Sequence, residues 1–110
     1  MPDQKVLFVC NANRLRSPTA ERIFRGRPGL EVKSAGVDSN ASVGVSRDLM
    51  EWADIIFVME KRQRNIIHKN FKDMYERKRI VCLYIPDEYD FMHPDLIELL
   101  LERVPLHLNE

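Results

Sequence analysis

Apolar residues in this chain gather into short unbroken runs, separated by stretches with helical spacing. Residues 5–9, 55–59 and 80–85 form the runs, and residues 30–34 read as a further short strand. Continuous apolar segments of this length suit strands buried on both faces of a sheet. From Ser17 onward Ala20, Ile23 and Phe24 fall on one helical face. Ser17 is predicted as the N-cap, with Pro18 in the first helical position and Glu21 close to capping-box spacing. Gly26, Pro28 and Gly29 are expected to end that helix. Residues 38–44 are small and polar and read as a loop, after which Ser46 caps a helix carrying Leu49, Met50, Trp52 and Ala53. Residues 60–71 read as a charged helix with an apolar edge at Ile66 and Ile67, and 72–79 as a charged connection. Residues 86–89 form a turn. Pro94 opens a last helix whose broad apolar face includes Leu96, Ile97, Leu99, Leu100 and Val104, and Pro105 ends it.

Strands alternating with helices predict an α/β fold, a four-stranded parallel sheet flanked by helices on both faces, with right-handed crossovers. Residues 1–110 are expected to form one domain, without internal repeat or interdomain linker. Functional loops of such sheets lie at the carboxyl ends of the strands. That rule brings the loop from Cys10 to Ser17 and the turn at 86–89 to one edge.

Composition narrows the field. Lys+Arg and Asp+Glu both total 17, so the formal net charge is zero and a nucleic-acid polymer is not an expected partner. No apolar run approaches a membrane span, and the start of the chain lacks a signal-peptide pattern, so a cytoplasmic protein without membrane attachment is expected. The two cysteines, Cys10 and Cys82, lie far apart without metal-ligand spacing. Reduced thiols fit better than a disulfide framework, and neither a metal nor another cofactor is expected.

The stretch from Val6 to Pro18 carries the chemistry. An apolar strand ends on Cys10, Arg16 follows six residues later, and Ser17 and Pro18 open a helix. Cleavage of a phosphate ester by cysteine requires the thiolate, which a helix N-terminus, a nearby arginine and converging amides favour. The backbone from Asn11 through Ala12, Asn13, Arg14 and Leu15 to Ser17 can form a concave anion nest leading into the helix dipole. The Arg16 fork can grip two phosphate oxygens. The Ser17 hydroxyl can donate to the Cys10 sulfur, and Asn13 tolerates the left-handed backbone a tight cradle needs. An acid must then protonate the departing oxygen, and the same carboxylate must activate water afterwards. Asp87 after the fourth strand is the first candidate and Asp90 the second. Tyr89 offers an aromatic wall for the substrate.

The loop Cys10-Asn11-Ala12-Asn13-Arg14-Leu15-Arg16-Ser17-Pro18 resembles the phosphate-binding loop of low-molecular-weight protein tyrosine phosphatases, C-x-G-N-x-C-R-S-P. The likeness extends through Thr19-Ala20-Glu21, Ser34-Ala35-Gly36, Ala53-Asp54-Ile55-Ile56 with Met59, and Pro86-Asp87-Glu88-Tyr89, which is similar to the family's acid segment P-D-P-Y. The resemblance implies a three-layer α/β sandwich and a phosphocysteine intermediate. It implies Cys10 as nucleophile, Arg16 as phosphate binder, Asp87 as general acid and base, and Asn13, Ser17 and Ser34 as the hydrogen-bonded set that holds the loop. Ala12 stands where the family has glycine, Leu15 where it has a second cysteine, and Glu88 where it has proline. Arg14 adds a positive charge at the entrance. These departures resemble a compact bacterial branch of the family.

The plainer readings are a buried strand-end cysteine for Cys10 and an ordinary turn residue for Asp87. Cys82 reads as a small buried hydrophobe, His68 and His93 as surface or capping residues, and Arg77-Lys78-Arg79 as a solvated connection. The leading expectation is a cysteine-dependent phosphatase acting on a phosphorylated protein or small phosphate ester. A second keeps the loop but takes nucleotides, including opening of 2′,3′-cyclic nucleotides, which Arg14 would favour. Arsenate reduction lacks relay cysteines here, and an anion-binding module without catalysis is the non-enzymatic alternative.

Overall fold

A computed structural model describes residues 3–108. Strand β1 (Gln4–Cys10) lies at the centre of a four-stranded sheet between β2 (Leu30–Gly36) and β3 (Ile55–Val58), and β4 (Arg79–Cys82) closes the far edge. Every pairing is parallel, in the order β2-β1-β3-β4. The chain moves from β1 outward to β2, then crosses back to the other side of β1. The carboxyl ends of β1 and β3 therefore flank the point where the strand order reverses, where ligands of open α/β sheets bind.

Side chains alternate across β1, and each parity has its own core. Val6, Phe8 and Cys10 pack with Ala20 and Phe24 of α1 (Arg16–Phe24) and with Leu96 and Leu100 of α5 (Pro94–Arg103). Leu7 and Val9 face Met50 of α2 (Arg47–Trp52), Ile67 of α3 (Lys61–Asn70) and Met74 of α4 (Lys72–Arg77). The expected three layers are thus present. Phe8 anchors the first core, its ring stacked 5.7 Å from Phe24 and 5.5 Å from Phe57. Truncating such a ring to alanine costs about 3–5 kcal/mol. The parity also has a chemical consequence: Cys10 shares its face with the start of α1.

The structure corrects several boundaries. Ser17 is not an N-cap. Helix α1 starts at Arg16, Leu15 occupies the cap position without a side-chain cap bond, and Ser17 turns inward. Residues 72–79 are not a plain connection, because 72–77 form α4, whose Met74 is buried under the sheet. The fourth strand stops at Cys82, not at residue 85. Beyond it Tyr84 takes φ +55°, which breaks the regular strand, while the Leu83 and Ile85 amides on either side still donate to the Val58 and Met59 carbonyls at 2.8 Å. Ser46 caps α2 as expected, accepting from the Leu49 amide at 3.2 Å. Gly26 and Gly29, both at φ +83°, make the turn after α1. Among the described residues no helix is long and apolar enough to cross a membrane.

Candidate active site

Cys10 ends β1 almost fully buried, and the chain then curls through 11–15 into α1. The carbonyls along this curl are occupied on its outer side. Those of Cys10, Asn11 and Ala12 accept from the amides of Val37 (3.1 Å), Asp38 (3.0 Å) and Ser42 (3.1 Å). A planar trans peptide sets each N–H opposite its C=O. The amides of residues 11–13 are therefore turned to the inner side, as an anion nest requires. Asn13 bends the curl at φ +56°, the left-handed conformation expected of it. Ala12 is not among the described residues with positive φ, so its Cβ fits where a glycine was the family's choice.

Gly36 explains how the curl packs so closely on β2. A Cβ there would lie 2.4 Å from the Asn11 oxygen and 2.8 Å from the Asn13 nitrogen.

A directed hydrogen-bond relay runs from the surface to the sulfur. The Ser34 hydroxyl donates to Glu21 Oε1 at 2.5 Å. Asn13 Nδ2 spends its two protons on Ser34 Oγ (2.9 Å) and Ser17 Oγ (3.0 Å). Both hydroxyl oxygens then act as acceptors toward Asn13. Ser17 is left to turn its own proton to Cys10 Sγ at 3.0 Å or the Ala35 carbonyl at 3.3 Å. A hydrogen bond donated to a thiolate stabilises the anion.

Arg16 is buried at 1% exposure, an unusual place for a guanidinium. Its Nη1 donates to Glu60 Oε1 at 2.6 Å and to the Ile85 carbonyl at 2.8 Å. Nη2 has no protein partner among the described residues, and Nε lies 3.7 Å from Asp87 Oδ1. The outer edge of the fork therefore remains open beside Cys10.

Cys10, Asn11, Ala12, Arg14, Leu15, Arg16 and Asp87 line one cavity of about 280 Å³. Asn13 and Ser17 sit behind it as support, with Ser34 one layer further back. The Asp90 side chain is exposed and does not line the cavity; its carbonyl closes a turn with the His93 amide at 3.0 Å. Tyr89 does not line it either. Its ring packs on the α1–α5 core, 5.5 Å from His93, because the turn after Asp87 directs it inward. Exposed Leu15 takes the wall position instead. Arg14 is exposed at the rim, where Nη2 donates to the Asn40 carbonyl at 3.1 Å.

Two residues of this site were not singled out from sequence. Glu60 N-caps α3 in a reciprocal capping box with Gln63, and the same carboxylate holds Arg16. Fully buried Gln63 also donates to Asn11 Oδ1 at 2.7 Å, alongside Arg62 at 2.6 Å. The start of α3 thus braces both ends of the curl. The spacing Glu60-x-x-Gln63 has the form of a capping box, and that was the available signal. Among the described residues no cluster of His, Cys, Asp or Glu could hold a metal ion, and both cysteines are free.

Residues 5–52 match the family described as low molecular weight phosphotyrosine protein phosphatase. A protein-arginine-phosphatase of Geobacillus stearothermophilus is 28% identical over 97 residues, a match that spans 66% of this chain and 66% of that protein's length. Among solved structures, the low molecular weight protein tyrosine phosphatase SP-PTP of Streptococcus pyogenes superposes with a TM-score of 0.78 at 14% identity, covering 97% of this chain and 95% of that one. The tyrosine phosphatase Wzb of Escherichia coli K30, solved in complex with phosphate, gives 0.74 at 21% identity with 96% of each chain covered. At these identities the structural likeness is one of fold.

Proposed function

We propose that this chain is a member of the low molecular weight phosphotyrosine protein phosphatase family, whose model matches residues 5–52, and that it hydrolyses a phosphate monoester through a phosphocysteine at Cys10. One observation carries the reading. Cys10 from the end of β1, Arg16 from the start of α1 and Asp87 from beyond β4 line a single cavity, with Arg16 Nε 3.7 Å from Asp87 Oδ1. A thiol, an open guanidinium edge and a carboxyl group are the set that in-line phosphoryl transfer to sulfur needs.

The substrate phosphoryl group sits against the inward amides and the Nε–Nη2 edge of Arg16, which share its negative charge. The Cys10 thiolate attacks phosphorus. The bond from phosphorus to the leaving oxygen breaks, its electron pair stays on that oxygen, and the Asp87 carboxyl supplies the proton. In the second half a water oxygen attacks phosphorus while the Asp87 carboxylate takes the water proton. The sulfur–phosphorus bond breaks, and the pair returns to sulfur as thiolate, which the Ser17 hydroxyl receives. Inorganic phosphate leaves, and Asp87 is protonated again for the next turnover.

The substrate class is a phosphorylated protein or a small phosphate ester. Arg14 at the rim supports ligands with further negative charge, which keeps mononucleotides within the reading. Free thiols at Cys10 and Cys82 suit a reducing compartment such as the cytoplasm.

The test is turnover on phosphotyrosine peptides, phosphoarginine peptides, mononucleotides and 2′,3′-cyclic nucleotides, with Cys10→Ser as control. Cys10→Ser should abolish turnover and still bind vanadate, and Asp87→Ala should slow a poor leaving group by ~10²–10⁴-fold. Turnover retained in Cys10→Ser overturns the reading. A loss of that size in the Asp90→Ala variant alone would move the acid assignment to Asp90.

A further inference from the structure

Asp87 rides on an exposed segment, and its own side chain is 54% exposed. Little packs over it, so its position depends on how the two ends of the segment are held. Both ends are held by the first turns of α1. At the near end Arg16 Nη1 donates to the Ile85 carbonyl at 2.8 Å. At the far end the Met92 amide donates to Thr19 Oγ1 at 2.9 Å. Arg16 and Thr19 are three residues apart and so share a helix face. The Thr19 hydroxyl has one proton, which it gives to the Leu15 carbonyl at 2.7 Å. Leu15 lines the cavity. A fully buried hydroxyl therefore joins the cavity wall to the far end of the acid segment. Met92 meets it at φ +61°, a backbone conformation that a methionine adopts only when its surroundings impose it.

We infer that Thr19 is a positioning residue for Asp87: its hydroxyl sets the acid segment in register with the phosphate cradle. The inference rests on the phosphatase reading for its kinetic consequence, but not for its structural one. Thr19 does not line the cavity. Its loss should leave anion binding and sulfur attack intact and misplace only Asp87, as proton donor in the first half-reaction and as base in the second. Proton donation matters most when the leaving oxygen is strongly basic.

The experiment compares the full chain with Thr19→Val, which keeps the shape and removes the hydroxyl, and Thr19→Ser, which keeps the hydroxyl. Thr19→Val should lower kcat/KM for phenyl phosphate by roughly ten- to a hundredfold. It should change kcat/KM for p-nitrophenyl phosphate, whose leaving group needs little protonation, by less than about threefold, because kcat/KM ends at formation of the phosphocysteine and leaves out the later water step that Asp87 also serves. Vanadate affinity should not move. Thr19→Ser should restore the phenyl phosphate rate, and Thr19→Val should add no loss in an Asp87→Ala background. Equal losses on both esters, failure of serine to rescue, or additive losses in the double variant would overturn the inference. Amide hydrogen exchange judges it without activity. Residues 87–92 should exchange faster in Thr19→Val while 11–17 keep their protection, and unchanged exchange in 87–92 also overturns it. A wild-type chain inactive on both esters would count against the phosphatase reading, and the exchange result would still decide the role of Thr19.

Discussion

Glu60 Oε1 lies 2.6 Å from Arg16 Nη1, so the guanidinium that faces the cavity is held from behind by a carboxylate on a different element. Arg16 is 1% exposed and Glu60 37%. The pair is asymmetric: the buried partner depends on the half-exposed one. Glu60→Ala should lower kcat/KM by about ten- to a hundredfold, the equivalent of one charge-assisted hydrogen bond, and should destabilise the fold by about 1–3 kcal/mol. Glu60→Gln, which still offers an oxygen to Nη1, should retain most of kcat. Steady-state kinetics with urea unfolding of both variants checks this, and equal behaviour of the two would contradict it.

Gly36 should not tolerate even a methyl group. The atoms a Cβ would meet are backbone atoms of the phosphate curl, at 2.4 Å and 2.8 Å, and the Cβ of Ala41 at 2.8 Å. Gly36→Ala is expected to cost about 1–3 kcal/mol and to depress activity, because the displaced atoms belong to Asn11 and Asn13. The same substitution at Gly44, where no atom lies within 4 Å, should leave turnover unchanged.

Asn13 has two separable duties, a backbone at φ +56° and an amide that orients Ser17 and Ser34. Asn13→Ala loses both, and Asn13→Gly loses only the amide. The glycine variant should be the more stable of the two by about 1 kcal/mol. Both should react more slowly with iodoacetamide at Cys10, since Ser17 is then no longer directed toward the sulfur. Thermal melts and alkylation rates separate the two duties. An alkylation rate equal to wild type in Asn13→Gly would remove the orienting role.

Far from the cavity, the hydrogen bonds from Arg47 hold the Asp73 carboxyl below its ordinary value. A carboxyl group lowered on folding contributes stability that is complete above the unfolded value of about 3.9 and is lost as pH falls through the folded one. Asp73→Asn should therefore flatten the acid limb of the stability profile below about pH 4 and leave its shape above pH 5 unchanged. Both partners are exposed, so salt should shrink the difference. A stability–pH series of the two proteins at low and high salt measures it.

Much of this was readable along the chain. The apolar runs at 5–9 and 55–59 became β1 and β3, since a strand buried on both faces leaves a local record in every residue. Cys10 and Arg16 were legible because they sit at a strand end and a helix start, and Asp87 because it follows the last strand on the same edge of the sheet, positions that chain order and sheet topology determine together. The fourth strand was read too long because Leu83 and Ile85 are buried and their amides still donate to the Val58 and Met59 carbonyls at 2.8 Å, although the regular strand ends at Cys82. Burial and strand pairing give the same apolar signal, and the turn at Tyr84 has no marker in its neighbours. Helix α4 was missed because six charged-rich residues carry too little periodicity, with Met74 as its one buried side chain.

By itself the sequence determined the chemistry on offer: a strand-end thiol, an arginine six residues later, and a carboxylate after the last strand. Tertiary structure decided which groups serve it. Ser17 reads as a helix cap and is instead hydrogen-bonded to the Cys10 sulfur; Tyr89 reads as a cavity wall and packs, partly buried, against the core; Glu60, Gln63 and Thr19 carry no catalytic signature at all. The reason is physical. A nucleophile is recognisable from its own type and spacing, whereas an orienting contact exists only where two distant segments bring a donor and an acceptor within about 3 Å. The sheet order β2-β1-β3-β4 alone brings Glu60 to Arg16.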